Sequence, residues 1–268
     1  MKKNILLTTA ISILFLSCSK VPITNRKQMN LLPESQMIAM SLTQYHEFLT
    51  KNPPEPASDP DQQLVQKVGQ KISSAVMQFA KQNKMTDRVA GYKWEFHAVN
   101  NKEANAWCMP GGKIVVYTGL LPITQDEASL AFVMGHEIGH AVARHGNERM
   151  SQQMVAQTGG MALDVALQNK SAETRTMFET AYGLGATYGA MLPFSRLHES
   201  EADKLGMIFM AMAGYDPHVA VGLWQRMSKA TAGSGKPPEI LSTHPSDQTR
   251  INDINAYMPS AMKYYKKK

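Results

Sequence analysis

The chain has 268 residues, of which 43% are apolar and 19% charged, a composition typical of one large globular domain or two small ones. This composition excludes a mainly disordered, collagen-like or disulfide-dense protein. The formal charge of +6 invites a nucleic-acid or anionic-membrane interpretation. However, no zinc finger, helix-turn-helix or arginine-aromatic pattern accompanies it, so no nucleic-acid partner is expected.

The N-terminus has the pattern of a secretory signal, with Lys2 and Lys3, an apolar run from Ile5 to Leu16, and a small residue before Cys18. The run is shorter than the ~20 residues that a spanning helix needs. Residues 14–18 (LFLSC) resemble a bacterial lipobox. Residues 1–17 are therefore predicted to be a lipoprotein signal peptide and Cys18 the lipidated residue, the alternatives being a plain signal peptide or an uncleaved anchor. Ser19 favours the outer membrane, by resemblance to Gram-negative lipoproteins.

Loss of the signal removes two lysines, so the mature chain carries 26 basic and 22 acidic residues, a charge of +4. Residues 18–30 are predicted to be an extended tether, 31–260 one domain, and 261–268 a basic tail. Because Cys18 is assigned to lipid, Cys108 has no disulfide partner within the chain.

Helices and a small group of strands are predicted in turn. Helices are expected at 33–50 and 61–84 from their apolar spacing, and strands at 92–99, 104–109 and 113–118 from alternation and β-branched residues. Thr124 is expected to cap a helix running from about Gln125 to Gln153. Further helices are expected across 154–194, from Arg196 and from Ser246 to Met258, with a loop at 231–239.

His136, Glu137 and His140 form an HExxH motif on the long predicted helix. Residues four apart differ by about 40° around a helix, so the two histidines can share one metal ion. The apolar surroundings argue against two solvated histidines, because buried polar groups need partners. His145 is expected to be a capping or surface residue. Cys108 is a conceivable ligand but is expected to be a buried thiol.

A catalytic zinc needs a third protein ligand. Glu199 and Asp203, four residues apart on a later predicted helix, are expected to provide the ligand and an acceptor for the N–H of a zinc-bound histidine. Glu201 faces the other side and is expected to be solvated, although it remains an alternative ligand.

The HEIGH and ExxxD motifs resemble the gluzincin metallopeptidase family that contains HtpX and the CAAX prenyl proteases, and its periplasmic lipoprotein branch, which includes LoiP and BepA. Residues matching the strands before the active-site helix, the continuation of that helix and a late His-Pro…Arg motif extend the resemblance over about Val21 to Met258. The resemblance implies an α+β, mainly helical, zincin-like fold with a small β-sheet beside the active-site helix.

The expected function is a membrane-anchored endopeptidase with one Zn²⁺ per chain, hydrolysing peptide bonds in unfolded or misassembled envelope proteins in the periplasm. Glu137 would be the general base for the zinc-bound water. His244 is the candidate oxyanion donor, its alternatives being a helix cap or a latching zinc ligand, and Arg250 either binds substrate or holds acidic partners. Asn105 and Ala106 are expected to pair with an extended substrate, as the resemblance implies. A zinc-binding chaperone with little proteolysis is the alternative function; the oligomeric state cannot be read from the sequence.

Overall fold

The computed structural model describes residues 18–186, 192–232 and 248–266. The chain divides into two compact units. Among the described residues, those within 18–34 and 144–198 form one unit, and those within 35–143 and 199–266 form the other. The mainly helical α+β fold with a small sheet, expected from the sequence, is confirmed.

The larger unit contains a three-stranded sheet, with strands β3 (Glu95–Val99), β4 (Ala106–Met109) and β5 (Lys113–Tyr117) in the order β3-β5-β4. Strand β5 pairs in parallel with β3 and antiparallel with β4. Every residue of β5 is buried, so it is the centre of the sheet and β4 is an edge. All three predicted strands form, each shorter than expected. The turn between β4 and β5 uses Gly111 and Gly112 at φ of 95° and 81°, a conformation that side chains disfavour.

Two helices precede the sheet in the chain: α1 (Glu34–Lys51) and α2 (Pro60–Gln82). Asp59 caps α2, because its side chain accepts from the backbone N–H groups of Asp61 and Gln62. The apolar face of α2 is buried and packs against β3 and the helix that carries the HExxH motif. Both helices match their predicted ranges to within two residues.

A short helix, α3 (Leu121–Thr124), precedes the central helix α4 (Glu127–Ala143). The expectation that Thr124 caps the central helix is wrong, because Thr124 ends α3 and the side chain of Asp126 accepts from the N–H of Ser129. The helix also does not continue to Gln153. It ends where Arg144 takes a left-handed conformation at φ 61°, and a new helix starts at His145.

The later helices are α5 (His145–Leu167), α6 (Ala172–Ala186), α7 (Leu192–Met212), α8 (Val219–Ala232) and α9 (Gln248–Ala261). Helix α8 was not predicted. Helix α9 extends beyond its predicted end and is followed by a 3₁₀ turn at Met262–Tyr264. The first residues of the predicted basic tail, 261–268, are therefore helical. None of the helices in these ranges is both long and apolar enough to cross a membrane.

The smaller unit begins with an antiparallel pair of strands, β1 (Cys18–Lys20) and β2 (Lys27–Met29). Strand β2 packs against α5. Val21 and Gln28 are buried. The expectation of an extended tether at 18–30 is therefore wrong for this segment, because apolar and amide side chains within it find buried partners. The predicted signal peptide, residues 1–17, lies outside the described residues.

Candidate metal centre

His136 and His140 stand one turn apart on α4, and both side chains are largely buried. Their Nε2 atoms are 3.0 Å apart. The two imidazoles therefore point to one place, as their spacing along the helix predicts.

Glu199 on α7 completes the group. Its Oε2 lies 3.3 Å from His136 Nε2, and its Oε1 lies 3.4 Å from His140 Nε2. The three side chains offer one ligand atom each, all within 4.8 Å of one another. A tetrahedral zinc site with ligand distances of ~2.0–2.1 Å has ligand atoms about 3.3 Å apart. The donor set and its spacing therefore fit zinc.

Small residues let α4 and α7 come close enough to assemble this group. A Cβ on Gly206 of α7 would lie 2.9 Å from His136 N, and a Cβ on Gly135 would lie 3.1 Å from Gly206 O. Gly139 meets the backbone of Ala202 in the same way, at 3.1 Å. The two helices are in backbone contact, and this contact places a carboxylate of one beside the imidazoles of the other.

Asp203 holds the other nitrogen of the first histidine. Its Oδ1 lies 2.9 Å from His136 Nδ1, as expected for a group that orients a metal-binding imidazole. Burial alone would raise the pKa of Asp203, but the adjacent Arg250 guanidinium and the bond to His136 lower it. Burial would lower the pKa of His136, but its bonds to Asp203 and Glu199 raise it to about 9 without a metal.

Arg250 on α9 joins the two carboxylates. It donates to both oxygens of Asp203, at 2.6 and 2.8 Å, and its Nη1 lies 3.0 Å from Glu199 Oε2. The guanidinium also lies 3.8 Å from the ring centre of Trp224, a cation–π contact. Of the two roles left open for Arg250, the geometry favours the clamp on acidic partners. Sequence analysis did not identify Trp224 as part of the site. Its helix α8 was not predicted, and a single tryptophan does not indicate a cation–π contact with an arginine distant in sequence.

Glu137 follows His136 and is buried as well. It lies about 100° around the helix from His136 and about 60° from His140. Loss of hydration and the nearby Glu137 carboxylate raise the pKa of the Cys108 thiol on β4 well above its usual value. Cys108 is therefore a protonated thiol near the site and is not part of the three-residue donor group.

Two expectations about charged or titratable side chains were wrong. Glu201, expected to be solvated, is only 4% exposed, because α7 is enclosed on several sides. His145, expected at a cap or on the surface, is 1% exposed and stacks on His198, with ring centres 4.3 Å apart.

The remaining predicted site residues are placed as follows. Asn105 and Ala106 lie at the start of edge strand β4 and are buried. His244 lies outside the described residues, and of Cys18 only the backbone is described.

Two histidines four apart, a glutamate between them and a carboxylate from a second helix define a zincin-type metal centre. The profile of Peptidase family M48 matches residues 65–258, most of the chain. The chain belongs to Peptidase family M48, whose members are zinc-dependent metallopeptidases.

The chain is similar to the mitochondrial metalloendopeptidase OMA1 of Schizosaccharomyces pombe, with 33% identity over 243 residues, 90% of this chain and 66% of the relative. OMA1 of Arabidopsis thaliana is 37% identical over 190 residues, 71% of this chain and 35% of the relative. The β-barrel assembly-enhancing protease of Escherichia coli K12 is 32% identical over 162 residues, 60% of this chain and 33% of the relative. The chain thus spans between about a third and two thirds of the length of these relatives.

Proposed function

We propose that this protein is a zinc-dependent endopeptidase of the bacterial envelope, with His136, His140 and Glu199 as the zinc ligands and Glu137 as the general base. The proposal rests mainly on one observation. Three donor atoms in a largely buried site lie at the spacing of tetrahedral zinc ligands, and the buried carboxylate of Glu137 follows the first of them in the sequence. A purely structural metal site has no need of that carboxylate.

Zinc, when bound, lowers the pKa of water towards neutrality and polarises a carbonyl oxygen. Glu137 takes a proton from the attacking water and returns it to the leaving amine. Asp203 keeps the proton of His136 on Nδ1, so that Nε2 stays available as a ligand. Arg250 balances the charges of Asp203 and Glu199. His244 is proposed as the donor that stabilises the oxyanion.

The edge strand β4 is suited to hold an extended substrate. The N–H of Tyr117 donates to Asn105 O at 2.9 Å. Because bonded and non-bonded pairs alternate along an antiparallel ladder, the backbone N–H and C=O of Cys108 turn away from β5. The side chain of Asn105 accepts from the N–H of Ala106 at 2.9 Å and closes the strand's start. Recognition through backbone groups predicts loose sequence specificity, as unfolded substrates require.

The proposed place of action is the periplasmic face of the outer membrane, with attachment through lipidated Cys18. The signal-like residues 1–17 and the lipobox support this placement, as does the likeness to an Escherichia coli protease named for enhancing β-barrel assembly. The OMA1 relatives are mitochondrial by name. Unfolded or misassembled envelope proteins are the proposed substrates.

Replacement of Glu137 by Gln tests the mechanism, because it removes the base while keeping the shape of the side chain. We expect cleavage of unfolded casein to fall by about 10²–10⁴-fold, the usual contribution of a general base. Zinc content should be unchanged. Glu103→Gln, at an exposed position, is the matched control and should cleave like the wild type. Equal rates for wild type and Glu137→Gln would refute the mechanism, and zinc binding with no cleavage in the wild type would favour the chaperone alternative.

A further inference from the structure

Exposed apolar side chains concentrate on one part of the molecule, the helical hairpin α5–α6 of the smaller unit. Most of the large apolar residues exposed in the described part of the chain lie there, including Met154, Met161, Val165, Met177 and Phe178. Met161 and Met177 are each 61% exposed and Val165 is 67% exposed. Exposed large apolar side chains grouped on one part of a protein are typical of an interaction site.

Three of these residues form a stripe along α5. At 100° per residue, Met154, Met161 and Val165 lie within about 40° of one another around the helix. These three side chains therefore line one edge of α5, with Thr158 between Met154 and Met161 on the same side.

Beyond the first two turns of α5, the hairpin buries almost no side chain. Among the described residues from Gln152 to Gly183, Leu167 alone is buried. The two helices contact each other, and Tyr182 donates to Ala156 O at 2.7 Å. In proteins, most of the stability of a helix comes from tertiary burial of an apolar face. We therefore expect another surface to cover the apolar edge of the hairpin.

The N-terminal strands lie at the base of this hairpin. Gln28 donates to Glu148 at 3.1 Å, and the N–H of Leu31 donates to Ser151 Oγ at 2.9 Å, both on the first two turns of α5. At 1.5 Å per residue the stripe begins about 5 Å beyond Ser151 and ends about 21 Å beyond it. In the sequence, the apolar run from Ile5 to Leu16 directly precedes β1.

We propose that the α5–α6 hairpin lies on the lipid bilayer, with the Met154–Met161–Val165 stripe and Met177 inserted at the headgroup boundary beside the N-terminal anchor. Interfacial helices bury an apolar face about 5–10 Å deep without spanning the membrane. The exposed charges of the hairpin balance, with Arg149, Lys170 and Arg175 against Asp164, Glu173 and Glu179. Insertion is therefore driven by apolar contact and needs no anionic lipid. The inference rests on the proposed membrane attachment but not on peptidase activity.

The test is photolabelling of the full chain on vesicles of phosphatidylethanolamine and phosphatidylglycerol, and on phosphatidylcholine alone, with an apolar aryl azide dissolved in the bilayer. Trypsin yields residues 150–170, which contain the stripe, and 72–81, which contain Met77, 45% exposed in the larger unit. We expect strong labelling of 150–170 on both vesicle types and background labelling of 72–81. Met161→Glu/Val165→Glu should reduce labelling of 150–170 to that background, whereas Met77→Glu should not change it.

Each other outcome contradicts the inference. If the N-terminal peptides are labelled but 150–170 is not, the chain is anchored and the hairpin faces water. If the chain does not bind vesicles, both the attachment and the inference fail. A dimer in lipid-free solution that Met161→Glu/Val165→Glu dissociates, with no labelling of 150–170, would assign the stripe to a second copy. Casein cleavage by the same samples reports separately on the proposed peptidase activity.

Discussion

Asp203 links the imidazole of His136, a proposed zinc ligand, to the buried guanidinium of Arg250. It accepts from His136 Nδ1 on one side and from Arg250 on the other. The proposed role of Asp203 is to fix which nitrogen of His136 is available to the metal. Its effect should therefore be visible in metal affinity.

Replacement of Asp203 by Asn should weaken zinc binding by about 10–100-fold, the usual effect of losing a carboxylate that orients a ligating histidine. Competition with a chromophoric chelator measures this affinity directly. Asp216→Asn, at an exposed site far along the chain from the ligands, is the control and should bind zinc like the wild type. Equal affinities for Asp203→Asn and the wild type would mean that the bond to His136 does not orient the ring.

The sequence predicted which side chains meet at the proposed metal centre better than it predicted the residues that support them. Spacing of four along a helix is a local property, and it pointed to His136 with His140 and to Glu199 with Asp203. The stack of Arg250 on Trp224 joins residues from two helices that are brought together only by folding. No local pattern could show it, and the same is true of the burial of Glu201.

Helices α4 and α7 meet through glycines, and this contact sets the distance between the proposed ligands. Gly206 lies against the backbone of His136 itself, so there is no side chain that could shift to make room.

Sequence patterns predicted both helices and the three strands, because periodicity and turn residues are local. The left-handed residue at Arg144 and the strands within 18–30 were not predicted, since they depend on contacts distant in sequence.

Replacement of Gly206 by Ala should destabilise the protein by about 1–3 kcal/mol, as expected when atoms are inserted into a packed interface. It should also weaken zinc binding, because α7 must move away from His136. Gly222→Ala on α8 is the matched control, since the nearest atom to its Cβ would be an ordinary 3.6 Å away. That change should be neutral or stabilise by about 0.5–1 kcal/mol. Urea unfolding and chelator competition on both variants make the comparison; unchanged zinc affinity in Gly206→Ala would show that the helix contact does not set the site.

The whole molecule has two units, and a buried acidic residue stabilises the smaller one. Burial alone would raise the pKa of Glu148, but Arg26, His198 and Gln28 bond to its carboxylate and lower the pKa to about 2. The unfolded carboxyl titrates near 4.5, so the unfolded state binds the proton first as pH falls. This stabilisation is complete above about pH 5 and is lost as pH falls towards 2.

Protection of the β1–β2 amides from hydrogen exchange should therefore decrease as pH falls from about 5 to 2, once rates are corrected for intrinsic pH dependence. In Glu148→Gln the protection should be lower at neutral pH and should lack this acid-dependent decrease. Glu47→Gln, at an exposed position of the larger unit, should behave like the wild type. An acid-dependent decrease that persists in Glu148→Gln would assign it to another group.

The account as a whole depends on which carboxylate of α7 binds the metal, and zinc stoichiometry of Glu199→Gln and Glu201→Gln measures this most directly. Both residues are buried, so the two substitutions carry a similar structural risk, and circular dichroism confirms that each variant is folded. We predict one zinc per chain in the wild type and in Glu201→Gln, and background zinc in Glu199→Gln, with casein cleavage lost in the latter. Zinc retained in Glu199→Gln but lost in Glu201→Gln would contradict the proposed metal centre.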